Sequence, residues 1–252
     1  MNTINCKSCI NADCFVKWCS QKWIQQIDHF KTQSHYKKNQ NIIIEGSEVF
    51  GVFFIQKGKV KVYSAGLNGK EQIVRFATDG HILGHRGIGS DIYPISAAAM
   101  EDSIICFIEN DTLNEMFFAN PKFSIELMMY YSRELRKLEN RVKYIAQMNI
   151  REKTAETLLL LYEIFGINKY NELNVSFSRD DIANTAGSTR QQVTMQLTEF
   201  EKDGFIEKHG KKIALYKIEG LKKIVSQFNL FTTPVNNNYY LLPDNRKLIA
   251  TG

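Results

Sequence analysis

The sequence lacks any run of about 18 consecutive apolar residues, the length that a membrane-spanning helix needs. Its first twenty residues also lack the apolar core of a secretory signal, because lysine, asparagine, aspartate and four cysteines interrupt them. The composition shows no extreme, since hydrophobic residues make up 44% and charged residues 23% of the 252 residues, close to globular averages. These absences exclude a largely disordered chain and predict a globular, cytoplasmic protein without a membrane partner.

Cysteine is scarce except near the N-terminus. Four of the five cysteines, Cys6, Cys9, Cys14 and Cys19, fall within fourteen residues, and Cys106 stands alone. A disulfide scaffold would spread its cysteines along a secreted chain, whereas a cytosolic cluster of this kind favours metal or redox chemistry. Four thiolates suit an iron–sulfur cluster or zinc. A segment without metal, with Cys106 as a small buried hydrophobic residue, is the third alternative.

Glycine divides the first half of the chain into short segments. Nine of the fifteen glycines lie between residues 46 and 89, and the segments between them are rich in valine, isoleucine and phenylalanine. Residues 59–63 alternate with a period of two, which is typical of a half-buried strand. Strand patterns at this spacing predict an antiparallel β jelly roll over residues 21–120. The predicted strands cover residues 41–44, 49–56, 59–63, 71–77 and 82–83, and residues 96–108 supply further strand pattern.

The stretch that follows Pro121 predicts a long helix. Residues 123–148 contain no glycine or proline, and helix-forming residues dominate. Five apolar residues recur at alternating intervals of four and three, which gives a narrow stripe flanked by charges. Such a stripe favours a partner helix over packing on the same domain, so residues 121–148 are predicted to form a homodimer. The candidate dimerisation residues are Tyr131, Leu135, Leu138, Val142 and Ile145.

Two helix starts lie close together in the C-terminal half. Ser178 and Asp181 have the spacing of a capping box that begins a short helix, and Gly187 follows it as a turn. A second capping box at residues 188–191 begins a longer helix, which ends at Gly204. The predicted buried face of this second helix consists of Val193, Leu197 and Phe200.

A predicted helix over residues 151–165, a short polar strand over 173–177 and a hairpin over 205–216 flank these two helices. Together they predict a winged helix-turn-helix over residues 149–225, with an ordinary helical hairpin as the alternative. Six lysines against two glutamates lie between residues 205 and 225; on charge alone this excess favours a solvated lysine-rich face, and on the wing of such a domain it suits contact with phosphates. The candidate DNA contacts are Ser188, Thr189, Arg190, Gln191, Thr194, Lys208, Lys211 and Lys212.

A jelly roll, a long dimerisation helix and a winged helix in this order resemble the CRP/FNR family of bacterial transcription regulators. The likeness extends to about residue 224 and is strongest over residues 186–205, which are similar to the family's turn and recognition helix. It implies an α+β fold and a homodimer on an inverted repeat of double-stranded DNA, in contact with RNA polymerase. Family members usually have glutamate at the position of Gln191 and often arginine at that of Met195, so we expect a different half-site here.

The resemblance also bears on cyclic nucleotides. Members that bind them carry a Gly-Glu pair and an Arg-Ser pair around the sensor loop. The corresponding pairs here are Gly84 with His85 and Ile95 with Ser96. Because the glutamate and the arginine are both absent, a phosphate diester would lose its charged partner. This argues against cyclic AMP, while Arg86 leaves room for another anion.

The sensor loop is similar to the oxygen-sensing FNR branch of the family. Residues 84–106 match that branch in length, in residues 88–90, in Pro94 and in the cysteine at the end. That branch binds a [4Fe-4S] cluster through three N-terminal cysteines and one cysteine of the jelly roll. The resemblance therefore implies a cluster here, with Cys106 as the fourth ligand.

The three N-terminal ligands follow from the same resemblance. Cys6 and Cys9 supply the C-x-x-C pair. In the family the third cysteine follows this pair after five residues, whereas here Cys14 follows after four and Cys19 after nine. We therefore expect Cys14 as the third ligand, with Cys19 as its substitute.

The predicted function is a sequence-specific DNA-binding regulator, not an enzyme, that responds to redox state, oxygen or nitric oxide through the cluster. One alternative is a CRP-like regulator that uses no cofactor or a small ligand. A remote alternative is a jelly-roll metalloenzyme of the cupin type, but its His-x-His pair is missing, since three residues separate His81 from His85. Residues 1–20 form a separate cysteine-rich segment, and residues 226–252 form a tail to which no function is assigned.

Overall fold

The computed structural model of the protein describes residues 4–66 and 69–228. The chain begins with a cysteine-rich segment that includes a short 3₁₀ helix, Phe15–Trp18, and continues into helix α1, Gln21–Phe30. Of the predicted C-terminal tail, residues 229–252 lie outside the described residues. Within the described ranges, no helix combines the length and the apolar character that crossing a membrane requires.

Eight strands form the predicted jelly roll, which is confirmed. They pair antiparallel in two four-stranded sheets, in the orders β1-β8-β3-β6 and β2-β7-β4-β5. Ile55 and Ile105 of the first sheet pack with Val60 and Val62 of the second in one buried core. The strands are β1 (Thr32–Tyr36), β2 (Asn41–Ile43), β3 (Gly51–Lys57), β4 (Lys59–Ala65), β5 (Glu71–Thr78), β6 (Ile82–Leu83), β7 (Ser96–Ala99) and β8 (Ser103–Glu109).

Strand β1 is absent from the sequence-based prediction. Its sequence, TQSHY, has no apolar alternation, so it carries no pattern of its own. It is a strand because it pairs with β8, from Thr32 opposite Phe107 to Tyr36 opposite Ser103. The same register places Gln33 opposite Cys106, which brings the start of β1 beside a predicted ligand.

Three helices follow the jelly roll: α2 (Asn110–Ala119), α3 (Pro121–Gln147) and α4 (Ile150–Phe165). The predicted long helix is α3, which has 27 residues and begins at Pro121, a position where a helix tolerates proline because that N–H has no intrahelical partner. Helix α4 begins with a complete capping box between Asn149 and Glu152.

The predicted winged helix-turn-helix is confirmed. Helix α5 (Arg179–Ala186) starts with the predicted capping box of Ser178 and ends at Gly187, whose φ of 61° is left-handed. Helix α6 (Arg190–Lys202) follows, and its predicted inner face is fully buried. The wing consists of β9 (Ile206–His209) and β10 (Lys212–Leu215), and α7 (Ile218–Ile224) closes the domain.

Two local predictions in this domain are wrong. The N-cap of α6 is Thr189 and not Ser188: the Thr189 side chain accepts from the Gln192 N–H, so the expected capping box at residues 188–191 does not form. Residues 173–177 form isolated bridges at most and no strand. Their alternating burial arises because Leu173, Val175 and Phe177 insert into the apolar core of the domain.

The jelly roll and the DNA-binding domain share one apolar core. Phe76 of β5 packs edge-on against Phe165 and Phe177, with ring centroids 5.8 Å and 5.3 Å apart. Polar contacts accompany this packing, since Lys70 Nζ donates to the carbonyl of Ser188 at 3.0 Å. Strand β5 is therefore the surface on which the helix-turn-helix docks.

Candidate cysteine pocket and nucleic-acid interface

The four expected cysteine ligands line one pocket. Cys6, Cys9 and Cys14 approach it from the N-terminal segment, and Cys106 approaches from β8. Cys19 is not part of this lining; it is buried in the apolar cluster around α1, which also contains Cys6 and against which Cys14 and Cys106 pack. The pocket lining thus includes Cys14 and does not include Cys19.

Hydrogen bonds to the jelly roll hold the cysteine-rich segment in position. The Asn11 side-chain amide donates to the carbonyls of Ile55 and Gln56 in β3, at 3.2 Å and 2.7 Å. The backbone N–H of Cys6 donates to Asp28 Oδ1 of α1 at 2.6 Å. These contacts hold the cysteine-rich segment against α1 and against β3, the strand that pairs with the Cys106 strand β8.

Burial controls the ionisation of the thiols. Loss of hydration raises the pKa of Cys6 to about 11 and that of Cys14 to about 12. Charge repulsion from Cys6, Cys106 and Cys9 raises the pKa of Cys14 further. For Cys19, whose pKa burial raises to about 12, Cys6 is the single thiol that contributes.

The thiols alone do not form a closed metal-binding geometry. Among residues 4–66 and 69–228, no three histidine, cysteine, aspartate or glutamate side chains stand close enough together to hold a metal ion. All five cysteines are free thiols. The pocket lining thus contains four free thiols.

Two polar side chains that the sequence analysis missed contact the sulfurs. Lys31 Nζ donates to Cys6 Sγ at 3.2 Å, and Gln33 Nε2 donates to Cys106 Sγ at 3.4 Å. Lys31 directly follows α1, and Gln33 lies in β1. No motif marks either residue, because their role depends on tertiary contacts alone.

The recognition helix α6 presents its predicted reading face to solvent. Arg190, Gln191 and Thr194 are exposed, and Arg190 forms a loose ion pair with Asp180 at 3.3 Å. Thr189 is exposed at the helix start, but Ser188 is 9% exposed and its hydroxyl donates to Gln192 Oε1 at 2.7 Å. The Ser188 side chain thus supports the start of the helix.

The three predicted wing lysines differ in their surroundings. Lys208 pairs with Glu201 at 2.8 Å and Lys212 pairs with Glu172 at 2.9 Å. Lys211 lies exposed at the tip of the wing and forms no ion pair within the described part of the chain. Of the three, Lys211 is the most available for a phosphate.

The predicted dimerisation stripe on α3 is only partly exposed. Leu135 is 59% and Val142 is 71% exposed, whereas Leu138 and Ile145 are half-buried. Tyr131 is also half-buried, and its hydroxyl donates to the carbonyl of His85 in its own jelly roll. The sequence analysis missed two further exposed apolar residues on this helix, Ile125 and Met128.

The positions that correspond to the nucleotide-binding pairs carry no charge in the fold. His85 is 3% exposed and packs against Tyr130 and Tyr131, with ring centroids 5.5 Å and 5.3 Å away. Burial lowers the pKa of His85 to about 3, so the imidazole is neutral. Ile95 is buried as well, and neither side chain replaces the missing carboxylate or guanidinium.

Each of the two domains matches a known family model. Residues 33–120 match the cyclic nucleotide-binding domain model, and residues 152–224 match the Crp-like helix-turn-helix domain model. The regulatory protein HlyX of Actinobacillus pleuropneumoniae is 28% identical over 223 residues, which cover 87% of this chain and 93% of HlyX. The fumarate and nitrate reduction regulatory protein of Escherichia coli K12 is 26% identical over 225 residues, 88% of this chain and 90% of that protein.

Solved structures agree with the observed fold. FixK2 of Bradyrhizobium japonicum superposes with a TM-score of 0.68 at 21% identity, over 77% of this chain and 96% of FixK2. The c-di-GMP-responsive regulator CLP of Xanthomonas campestris superposes with a TM-score of 0.69 at 16% identity, over 78% of this chain and 99% of CLP. With its jelly roll, long helix and winged helix-turn-helix in this order, the chain belongs to the CRP/FNR family of transcription regulators.

Proposed function

We propose that this regulator is a homodimer that binds an inverted-repeat DNA site and whose activity depends on a [4Fe-4S] cluster held by Cys6, Cys9, Cys14 and Cys106. The observation that carries the proposal is that these four cysteines line one pocket from two distant parts of the chain. The relatives named as fumarate and nitrate reduction regulators give it further support.

The residues of the pocket fit a cluster of this kind. Fe–S clusters are held by four cysteine thiolates, and the lining combines four cysteines with apolar side chains such as Val16, Ile27 and Phe54. When bound, the cluster would supply a group that oxygen or nitric oxide can attack. The chain's own part is to hold the N-terminal segment against β3 through Asn11, and to limit access of water with its apolar lining.

DNA recognition would use two copies of α6. In a two-fold dimer of helix-turn-helix domains, the recognition helices enter successive major grooves about 34 Å apart. Arg190 suits guanine and Gln191 suits adenine through paired hydrogen bonds, each worth about 1–3 kcal/mol of discrimination. Lys211 would contact a phosphate and carry no sequence information, and Lys208, Lys212, Thr189 and Thr194 would support these contacts.

The dimer would form through the exposed apolar side of α3. Met128, Leu135 and Val142 follow one another at intervals of seven residues and are 61%, 59% and 71% exposed. This is the repeat that places side chains on one seam of a coiled coil. We expect such a dimer to work in the cytoplasm, together with RNA polymerase.

A second candidate function is a regulator that needs no cofactor. It is favoured by one observation, namely that no three metal-ligating side chains among the described residues stand within reach of one ion. In this alternative the buried thiols would serve only as small apolar side chains.

Anaerobic reconstitution distinguishes the two candidates. The protein is purified without oxygen, treated with iron and sulfide, and analysed for iron content and visible absorbance. We expect about four irons per chain in the parent and far fewer in Cys106→Ser and Cys14→Ser. Cys19→Ser is the matched control and should load as the parent does. A colourless parent that still binds its operator would exclude the cluster and leave the cofactor-free regulator.

A further inference from the structure

Two lysines line the pocket of the four cysteines. Lys17 lies in the 3₁₀ helix that follows Cys14, and Lys31 follows the end of α1. The lining contains no carboxylate among the described residues. Burial of a charged lysine costs free energy unless charged or polar partners compensate it. The hydrogen-bond partners of these two ammonium groups therefore indicate which kind of ligand suits the pocket.

Lys31 is 7% exposed, and its ammonium group forms hydrogen bonds with the start of the cysteine-rich segment. Its Nζ donates to Asp28 Oδ1 at 2.6 Å, to the carbonyl of Ile4 at 2.7 Å and to Cys6 Sγ at 3.2 Å. The same Asp28 oxygen accepts the backbone N–H of Cys6 at 2.6 Å. Lys31 and Asp28 therefore fix Cys6 at both its amide and its sulfur.

The sulfur contact is the one that distinguishes a ligand-holding role from a structural one. A neutral thiol is a weak acceptor, whereas a sulfur that carries negative charge accepts a charge-assisted hydrogen bond about twice as strong as a neutral one. The ion pair with Asp28 would satisfy most of the needs of Lys31 without Cys6. The third donation gains its full strength only when the sulfur of Cys6 binds a metal group as a thiolate.

Lys17 adds a second positive charge on the other side of the same turn. Its Nζ donates to the carbonyl of Cys6 and, at 3.4 Å, to that of Cys9. Within the described residues it forms no ion pair with a carboxylate. Lys31 pairs with Asp28, so Lys17 is the lysine of the pocket lining that adds a positive charge without a carboxylate partner among the described residues.

The positive charge in the pocket lining is opposite in sign to the charge of the proposed occupant. A [4Fe-4S] core with four thiolates carries about two net negative charges, and hydrogen bonds to the sulfurs and nearby charge set its reduction potential. A donor and a positive charge both favour the more reduced, more negative state. Removal of either therefore makes the cluster harder to reduce and easier to oxidise.

We propose that Lys31 is a positioning residue of the cluster site, whose charged N–H···S hydrogen bond to Cys6 raises the reduction potential of the bound cluster and slows its loss in oxygen. Lys17 supports it by holding the Cys6–Cys9 turn. This inference rests on the proposed function, because it requires that the four cysteines hold a cluster.

The test compares Lys31→Met with Lys31→Arg, which keeps the charge and the donor. Lys37→Met is the matched control, since it also removes a lysine and an ion pair, that with Asp102 at 2.7 Å, but at an exposed site. Each protein is reconstituted anaerobically; then its iron content, its reduction potential by a spectroscopic titration, and its rate of bleaching in air are measured.

We expect Lys31→Met to have a more negative reduction potential and to bleach severalfold faster than the parent. Lys31→Arg should restore most of both properties, and Lys37→Met should match the parent. If Lys31→Met does not fold by circular dichroism, Lys31→Gln takes its place: it keeps an N–H donor without the charge and should shift both properties in the same direction by less.

The outcomes separate this inference from the proposed function. A parent that takes up no iron contradicts the cluster itself. A parent that loads, beside a Lys31 variant that loads with an unchanged potential and an unchanged bleaching rate, contradicts the role of Lys31 alone. A Lys31→Arg protein that behaves like Lys31→Met would contradict the charge as the cause.

Discussion

We expect replacement of Arg141 by methionine to weaken the contact between the jelly roll and the DNA-binding domain. Arg141 lies in α3, and its guanidinium contacts three other elements. One nitrogen, Nη1, donates to the carbonyl of Val74 in β5 at 3.2 Å, and Nη2 donates to the carbonyl of Thr185 in α5 at 3.1 Å. The third nitrogen, Nε, lies 3.8 Å from Glu156 Oε1 in α4. One side chain thus joins the jelly roll, the long helix and the helix-turn-helix.

The cost of this replacement follows from the burial of its partner. The side chains of Glu156 and Arg141 are 6% and 17% exposed, and removal of one member of a buried ion pair costs about 3–5 kcal/mol. The 3.8 Å separation places the pair near the lower end of that range, and two lost hydrogen bonds add about 1 kcal/mol each. We expect the free energy of unfolding to fall by about 5 kcal/mol near neutral pH.

The loss should depend on pH. Burial raises the pKa of Glu156, and the charge of Arg141 opposes that rise. Without Arg141 the pKa of the carboxyl in the folded state rises further, so folding of the variant favours the protonated form more strongly. A carboxyl whose pKa is raised in the folded state destabilises the fold as pH increases through that pKa. The difference in the free energy of unfolding between the parent and Arg141→Met should therefore increase from acidic to neutral pH.

Chemical denaturation between acidic and neutral pH measures this effect in four proteins. Arg141→Met with Glu156→Gln should be more stable at neutral pH than Arg141→Met alone, because the double variant buries no unpaired charge. Arg136→Met removes an exposed arginine of the same helix and should match the parent. If the difference in the free energy of unfolding between Arg141→Met and the parent is the same at every pH, the assigned role of Glu156 is refuted.

Three further predictions concern the dimer and the DNA-binding surface. Val142→Glu places a charge at the seam of both helices, so light scattering should detect monomers and operator binding should be lost; an intact dimer would mean that this side of α3 is not the interface. Arg190→Ala should flatten the preference among operator variants, whereas Lys211→Ala should weaken binding to all of them alike, and the reverse pattern in binding titrations would exchange their roles. Hydrogen bonds to Glu172 and to Glu207 raise the pKa of His209. The positive charge of His209 therefore persists to higher pH and disappears as pH increases through the raised pKa. DNA affinity should fall over that range in the parent and less in His209→Gln.

The elements that the sequence predicts are those with local determinants. The glycine turns between strands and the capping box of Ser178 act within a few residues, and both lead to the observed structure. Strand β1 has no such determinant, because β8 imposes its conformation. The segment at residues 173–177 fails for the opposite reason: its alternating burial is real, since Leu173, Val175 and Phe177 enter the apolar core, but its pairing with β10 stops at Leu173, whose N–H donates to the carbonyl of Ile213.

In the cysteine pocket, too, some features follow from the local sequence and others depend on tertiary contacts. Spacing along the chain leaves Cys14 and Cys19 as alternatives, because it says nothing about the path of the segment. That path depends on Asn11, which bonds to β3, and on the 3₁₀ helix that separates the two cysteines. Lys31 could not be found from the sequence at all, since a lysine between a helix and a polar strand has no distinguishing pattern.

The contacts around the pocket also indicate how a change there would reach the DNA-binding domain. Cys14 is followed directly by Phe15, whose ring packs edge-on against Tyr130 of α3 with centroids 5.0 Å apart. The Tyr130 hydroxyl accepts from Arg75 of β5. A shift of the 3₁₀ helix would therefore act first on α3 and on β5.

From that point the same two elements lead to the helix-turn-helix. Val74 precedes Arg75 in β5, and its carbonyl accepts from Arg141 of α3, which also holds the carbonyl of Thr185 at the end of α5. Contiguous contacts are not coupling in themselves, because coupling requires two states that differ in those contacts. In this fold α3 is the element common to all three regions: it touches the 3₁₀ helix of the cysteine segment, carries the exposed apolar stripe and binds the end of α5. If the proposed switch has two states, we expect them to differ in the position of α3, because a displacement of this helix would reach the pocket, the proposed dimer seam and the recognition helix together.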